Sequence, residues 1–234
     1  MKHLELTPRL QLLADWVRPG AKLADVGTDH AYLPVWLLLH HRVEHAIASD
    51  LRQGPLERAR QTGRAWQVHD LDLRLGDGLS GISPDEADTV VIAGMGGEHI
   101  AAILAAAPWT RDGCHTMLLQ PMTRAQELRS FLADNGYAVV REALVRDRGT
   151  LYPVMEVRAG EMTLSLGQLH AGVQVTQDPL GERYIIEKII RLQGAVAGLN
   201  RSAAPEDRER ADRLRDIITA LLEMREEWRY AQCR

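Results

Sequence analysis

The stretch KLADVGTDHAYLP, residues 22–34, opens with a short apolar run, passes through Asp25 and Gly27, and ends where a helix would start. Strand, glycine turn, helix is how a nucleotide-binding loop begins in an α/β fold. The further glycines of a dinucleotide loop are missing, and Asp29, His30 and Tyr32 stand in their place. A pyrophosphate sits at a helix N-terminus, where the field is positive, and neighbouring carboxylates would repel it. Asp25 and Asp29, on either side of Gly27, suit instead a ligand with an ammonium, a sulfonium and no phosphate. S-adenosylmethionine fits that description. A nicotinamide dinucleotide, which needs the Gly-x-Gly-x-x-Gly turn, fits poorly.

Outward from this stretch the pattern alternates. Thr7 and Pro8 read as an N-cap and first-turn proline, followed by a stripe of Leu10, Leu13 and Val17. Strands are expected over 22–27, 44–50, 71–75, 89–93 and 116–120. Helices are expected over 32–41, 55–66, 98–107 and 124–135, the last closed by Gly136. Two further strands, 137–146 and 152–158, follow without a helix between them. This predicts an α/β fold with a doubly wound, mainly parallel sheet and a terminal hairpin.

In such a sheet, ligands lie at the carboxyl ends of the strands. Four consecutive strand ends carry acidic or glycine-rich residues: Asp25 to His30, Asp50, Gly76-Asp77-Gly78, and Gly94-Met95-Gly96-Gly97. Taken singly, each has an ordinary reading: Asp25 or Asp50 as a cap, Asp77 as a turn residue, His30 as a structural histidine. Taken in order, they describe a nucleoside site. Asp50 would accept hydrogen bonds from both ribose hydroxyls and Asp77 from the adenine amino group. Gly76 and Gly78 would let the backbone approach the ring.

The chain has 234 residues, a net charge of -4 and 45% hydrophobic residues, which is ordinary for a globular protein. Bulk charge does not signal a nucleic-acid partner. Cys114 and Cys233 form neither a disulfide framework nor a zinc site, so no metal is expected and a reducing compartment is. The first residues lack the apolar core of a signal peptide, and the longest apolar run, 31–39, is too short to span a bilayer.

Near residue 160 the pattern changes. Tyr184, Ile185, Ile189, Leu192, Val196 and Leu199 form one helical stripe; Leu214, Ile217, Ile218, Leu221, Leu222 and Trp228 form another after a break at 202–205. The expected organisation is a catalytic domain over 1–160 and an antiparallel helical hairpin over 161–234. The hairpin suits packing, dimerisation or contact with a large substrate. Arginines crowd its turn, but interleaved acids largely neutralise them. Its sequence leaves open whether the protein is a monomer or a homodimer.

The stretches ADVGTDHAYLP (24–34), AIASD (46–50), RLGDGL (74–79), VVIAGMGG (90–97), LLQP (118–121) and LYPVMEV (151–157) resemble the bacterial tRNA (adenine(22)-N1)-methyltransferase family, TrmK. The C-terminal hairpin resembles that family's coiled-coil-like extension. The resemblance implies a Rossmann-like class I methyltransferase, S-adenosylmethionine as donor, and N1 of an adenine in the D-arm region of tRNA as acceptor, in the cytoplasm. Two departures stand out. The family commonly has Glu where this chain has Asp50, a change that keeps the carboxylate. The family often reads Gln-Pro-Asn where this chain has Gln120, Pro121 and Met122, so Gln120 or a backbone carbonyl would serve the target base. Asp29 and His30 are the candidate catalytic groups, as a charge-stabilising carboxylate or a general base. Tyr32, the third catalytic candidate, would stack on an extruded base or hydrogen-bond near it, and Met95 with Gly94 would wall the pocket. The alternatives are a methyltransferase acting on a small molecule or protein, and a non-catalytic tRNA-binding protein.

Overall fold

The computed structural model of the chain describes residues 3–202 and 204–232. Cys233, and Ala203 at the break between the last two helices, lie outside the described residues. Cys114 is exposed.

The elements run α1 (Pro8–Trp16), β1 (Leu23–Val26), α2 (Tyr32–Leu39), β2 (Ala46–Asp50), α3 (Gln53–Ala65), β3 (Leu71–Leu75), β4 (Thr89–Gly96), α4 (Gly97–Ala106), β5 (Thr116–Thr123), α5 (Ala125–Asp134), β6 (Tyr137–Asp147), β7 (Thr150–Ala159), α6 (Leu166–Ala171), α7 (Gly181–Leu199) and α8 (Pro205–Gln232). One compact unit extends to Arg141 and resumes over Val145–Met162; the second comprises Glu142–Leu144 and the chain from Thr163.

The seven strands form one sheet in the order β3-β2-β1-β4-β5-β7-β6. β1 to β5 are parallel, and β7 pairs antiparallel with β5. β1 lies in the middle of the parallel sheet, between β2 and β4, and is buried at all four positions, Asp25 among them. Helix α2, YLPVWLLL, is apolar all round and accordingly largely buried.

Three features differ from the expected pattern. β4 and β5 each run three residues further than expected. Met95 pairs with Pro121 and Gly96 with Thr123 across an irregularity in register. Glycine and proline there mimic a loop, but the bulge keeps the strands paired. Thr7 does occupy the N-cap position of α1 with Pro8 following, yet its hydroxyl is buried and makes no capping bond. Helix α6 was not expected. Ser165 and Gln168 close a reciprocal capping box at its start.

In the second unit, α7 and α8 bury Tyr184, Ile185 and Ile189 from one helix and Ala211, Leu221 and Met224 from the other. Glu182 accepts hydrogen bonds from Arg225 at 3.0 Å and Arg229 at 2.9 Å. The two guanidiniums hold its carboxyl below the usual range. Trp228 Nε1 donates to the Asp178 carbonyl at 2.7 Å. Among the described residues no helix is long and apolar enough to cross a membrane.

Candidate active site

From β1 the chain winds outward to β2 and β3, then returns to lay β4 and β5 on the other side of β1. The reversal between β1 and β4 is a topological switch point, and the crevice lies beyond the carboxyl ends of the strands there. The residues after β1, β2, β3 and β4 named from the sequence all fall on this edge. A separate cleft of about 430 Å³, lined by Lys22, His45, Arg74 and Glu86 among others, opens at the opposite edge and contains none of them.

Asp25 sits within β1 and is 7% exposed. Burial raises its carboxyl to about 6, against a smaller opposing pull from the Thr28 hydroxyl. At Gly27 the strand ends with φ +77, a left-handed conformation that favours glycine. The backbone N–H groups of Gly27 and Thr28 both donate to the Ser49 carbonyl, at 2.8 and 3.0 Å, which ties the loop to β2. A Cβ on Gly27 would stand 1.9 Å from the Met95 methyl. The loop after β1 and the carboxyl end of β4 therefore touch through Met95.

Asp50 ends β2, 8% exposed. One carboxylate oxygen accepts from the Arg52 N–H at 2.8 Å; the other makes no hydrogen bond among the described residues. The Gly76 N–H donates to the Asp50 carbonyl at 3.1 Å and brings the loop after β3 alongside. There Asp77 is exposed, Gly78 has φ +56, and Gly94 across the edge has φ +79 with open space where a Cβ would be.

Asp29 has a partner that sequence reading missed. Arg58 of α3 donates to one of its oxygens through both Nε and Nη2. That hydrogen bond, with His30 and Arg52 adding charge, lowers the Asp29 carboxyl below its usual value. The other Asp29 oxygen is 3.3 Å from His30 Nε2. The His30 ring stacks on Tyr32, with centroids 5.0 Å apart and planes 4° from parallel. Tyr32 is 41% exposed. Asp29, His30 and Tyr32 thus form one cluster, a fixed carboxylate beside an aromatic stack. Arg58 lies 29 positions from its partner and no local pattern announces the pairing.

On the acceptor side the structure is more closed than the sequence reading expected. Gln120 is fully buried and Pro121 is buried. The Gln120 amide nitrogen donates to the Pro121 carbonyl at 3.0 Å and its oxygen accepts from Arg9 at 2.7 Å, so both ends of the amide are engaged inside the protein. Arg9 also donates to Asp147 at 2.7 Å. Neither Arg9 nor Asp147 was singled out from sequence. Among the described residues no cluster of side chains could hold a metal ion.

The donor set fits a nucleoside with a cationic tail and no phosphate. It offers a buried carboxylate with a free oxygen for a diol, a second desolvated acid for a cation, and an edge open at Gly94. A doubly wound sheet with this edge is the architecture of a Rossmann-like methyltransferase, and residues 6–155 match the methyltransferase domain family. The chain is 38% identical, over 72% of its length and 74% of the relative's, to the tRNA (adenine(22)-N(1))-methyltransferase of Bacillus subtilis. It is similar to the crystal structure of the B. subtilis M1A22 tRNA methyltransferase TrmK, with a TM-score of 0.87 at 30% identity over 95% of this chain and 100% of that one. It is also similar to a Streptococcus pneumoniae putative tRNA (m1A22) methyltransferase in complex with S-adenosyl-L-methionine, with a TM-score of 0.83 at 31% identity over 94% and 100%. The chain belongs to the tRNA (adenine(22)-N1)-methyltransferase family.

Proposed function

We propose that this protein methylates N1 of adenine 22 in tRNA, with S-adenosylmethionine as the donor. The observation that carries this reading is the gathering of Asp25, Gly27, Asp29, Asp50, Asp77 and Met95 on one carboxyl edge of the sheet, in a chain of this family. Bound S-adenosylmethionine supplies a methyl group made electrophilic by its sulfonium. Asp50 holds the ribose hydroxyls through its free oxygen, and Asp77, Gly76 and Gly78 border the adenine. Asp25 and Gly27 hold the amino-acid end, and Gly94 with Met95 forms the wall.

The chain's own groups then act on the acceptor. Neutral adenine N1 carries a lone pair and needs no base before attack, but its ring becomes cationic as the bond forms. Asp29 is ionised at neutral pH, as an ordinary carboxylate is, and Arg58 extends that state to lower pH. That state favours stabilising the growing positive charge over removing an N6 proton, for which a low-affinity base is poorly matched. His30 and Tyr32 offer stacked rings, Tyr32 exposed, on which an extruded base stacks. Gln120 and Pro121 shape the acceptor side from beneath. In this reading residues 1–160 form the methyltransferase domain, residues 161–234 extend it as a helical hairpin, and the protein works on tRNA in the cytoplasm.

The test is incubation with methyl-labelled S-adenosylmethionine and, in parallel, total tRNA or a metabolite extract. Label should enter tRNA. Label entering only small molecules, or none entering at all despite donor binding, would reject the reading.

A further inference from the structure

Arg9 of α1 is 20% exposed at its side chain, and its ion-pair partner Asp147 is 6% exposed. The guanidinium donates through Nε to Asp147 at 2.7 Å and through Nη1 to Gln120 Oε1 at 2.7 Å. It also approaches Met122 Sδ at 3.2 Å and lies 5.2 Å from the Tyr152 ring centre. Withdrawing an ion pair from water is costly, and apolar residues of similar volume often stabilise a fold as well. Stability alone is therefore a weak account of this node.

Its geometry has a directional effect. A guanidinium only donates, so the Gln120 carbonyl oxygen must face Arg9 and the amide nitrogen must turn to the Pro121 carbonyl. Pro121 is in register with Met95 at the bulge between β5 and β4. The Met95 methyl in turn occupies the space beside Gly27. A continuous set of contacts leads from Arg9 through Gln120, Pro121 and Met95 to the first loop.

We propose that Arg9 is a positioning residue for methyl transfer: with Asp147 it locks the Gln120 amide, and so sets the bulged strand ends that seat Met95 against Gly27. This rests on the carboxyl edge being the methyl-transfer site. Arg9 acts through Gln120, and a displacement of about 1 Å at a reacting site is enough to cost roughly 100-fold in rate.

The experiment compares the full-length wild type with Arg9→Lys and Gln120→Glu, measuring S-adenosylmethionine affinity by calorimetry, kcat and KM on tRNA, and Tm. Lysine cannot serve Asp147 and Gln120 together in the fork geometry. Glutamate keeps an acceptor for Arg9 and the side-chain volume but loses the donor to the Pro121 carbonyl. Both variants should lose at least about 10-fold in kcat while KM for tRNA moves less than about 2-fold. Both should bind S-adenosylmethionine about 5-fold more weakly. Folded variants with affinity and kcat within about 2-fold of wild type would overturn the proposal. Should Arg9→Lys not fold, the near-isosteric Gln120→Glu decides alone. Wild type that transfers nothing to tRNA would refute the proposed function, and the affinity comparison would still decide the role of Arg9.

Discussion

Asp25→Asn separates the stability of the first loop from its function. Asp25 is buried, and burial lifts its carboxyl from the ordinary 3.8 to about 6, the Thr28 hydroxyl opposing. The folded chain thus binds this proton more tightly than the unfolded chain does. Stability from this group is full below pH 3.8, is lost as pH rises to about 6, and is flat above. At roughly 1.4 kcal/mol per pH unit the loss has a ceiling of about 3 kcal/mol. Asparagine removes that loss but buries new N–H donors, which costs about 1–2 kcal/mol. The ligand-free variant should therefore be about 1–2 kcal/mol more stable than wild type at pH 7.5 and less stable at pH 4.5. Urea unfolding of both proteins across that pH range measures the difference, and shared titrations cancel in it. Function should move the other way: without an ionisable partner for a cationic group, S-adenosylmethionine should bind at least about 10-fold more weakly. A stability difference that does not change with pH, or unchanged affinity, would refute the reasoning.

Asp50→Ala should weaken S-adenosylmethionine binding in calorimetry by at least about 10-fold, since it removes the acceptor for two hydroxyls; unchanged affinity would reject the ribose assignment. Arg58→Met should let the Asp29 carboxyl rise toward its usual value. Activity on tRNA at acid pH should then fall more than activity at pH 7.5, read from a pH–rate profile; an unmoved acid limb would mean that Asp29 need not be ionised. Gly97→Ala would place a Cβ 2.2 Å from the Arg124 carbonyl oxygen. Backbone cannot yield there as a side-chain tip would, so thermal unfolding should show a loss of about 1–3 kcal/mol.

The alternation was legible because buried parallel strands such as LADV and AIASD are short, mainly apolar runs, and because helices between them have a different period. β3 runs over Leu71–Leu75, as read. The ends of β4 and β5 were not legible: Gly94, Gly96 and Pro121 carry loop chemistry, and only the cross-strand partners at a bulge show that pairing continues. Helix α6 has six residues, too few for a period to register, though Ser165 and Gln168 marked its start. The placement of Asp25, Asp50 and Asp77 followed from topology, which sends every parallel strand's carboxyl end to one edge. Side-chain pairing across the sequence left no such trace. Arg9 meets Asp147 at a separation of 138 residues, and Gln120, which looked free to meet a substrate, is held by that same arginine.

The central claim is best tested by the position and identity of the product. Unmodified tRNA containing adenine 22 is treated with the protein and S-adenosylmethionine, digested, and mapped by mass spectrometry, beside the same tRNA with guanine at position 22. The account predicts 1-methyladenosine at position 22 in the first and no methylation in the second. Methylation elsewhere in the tRNA, on another atom of adenine 22, or equally in both substrates would contradict it.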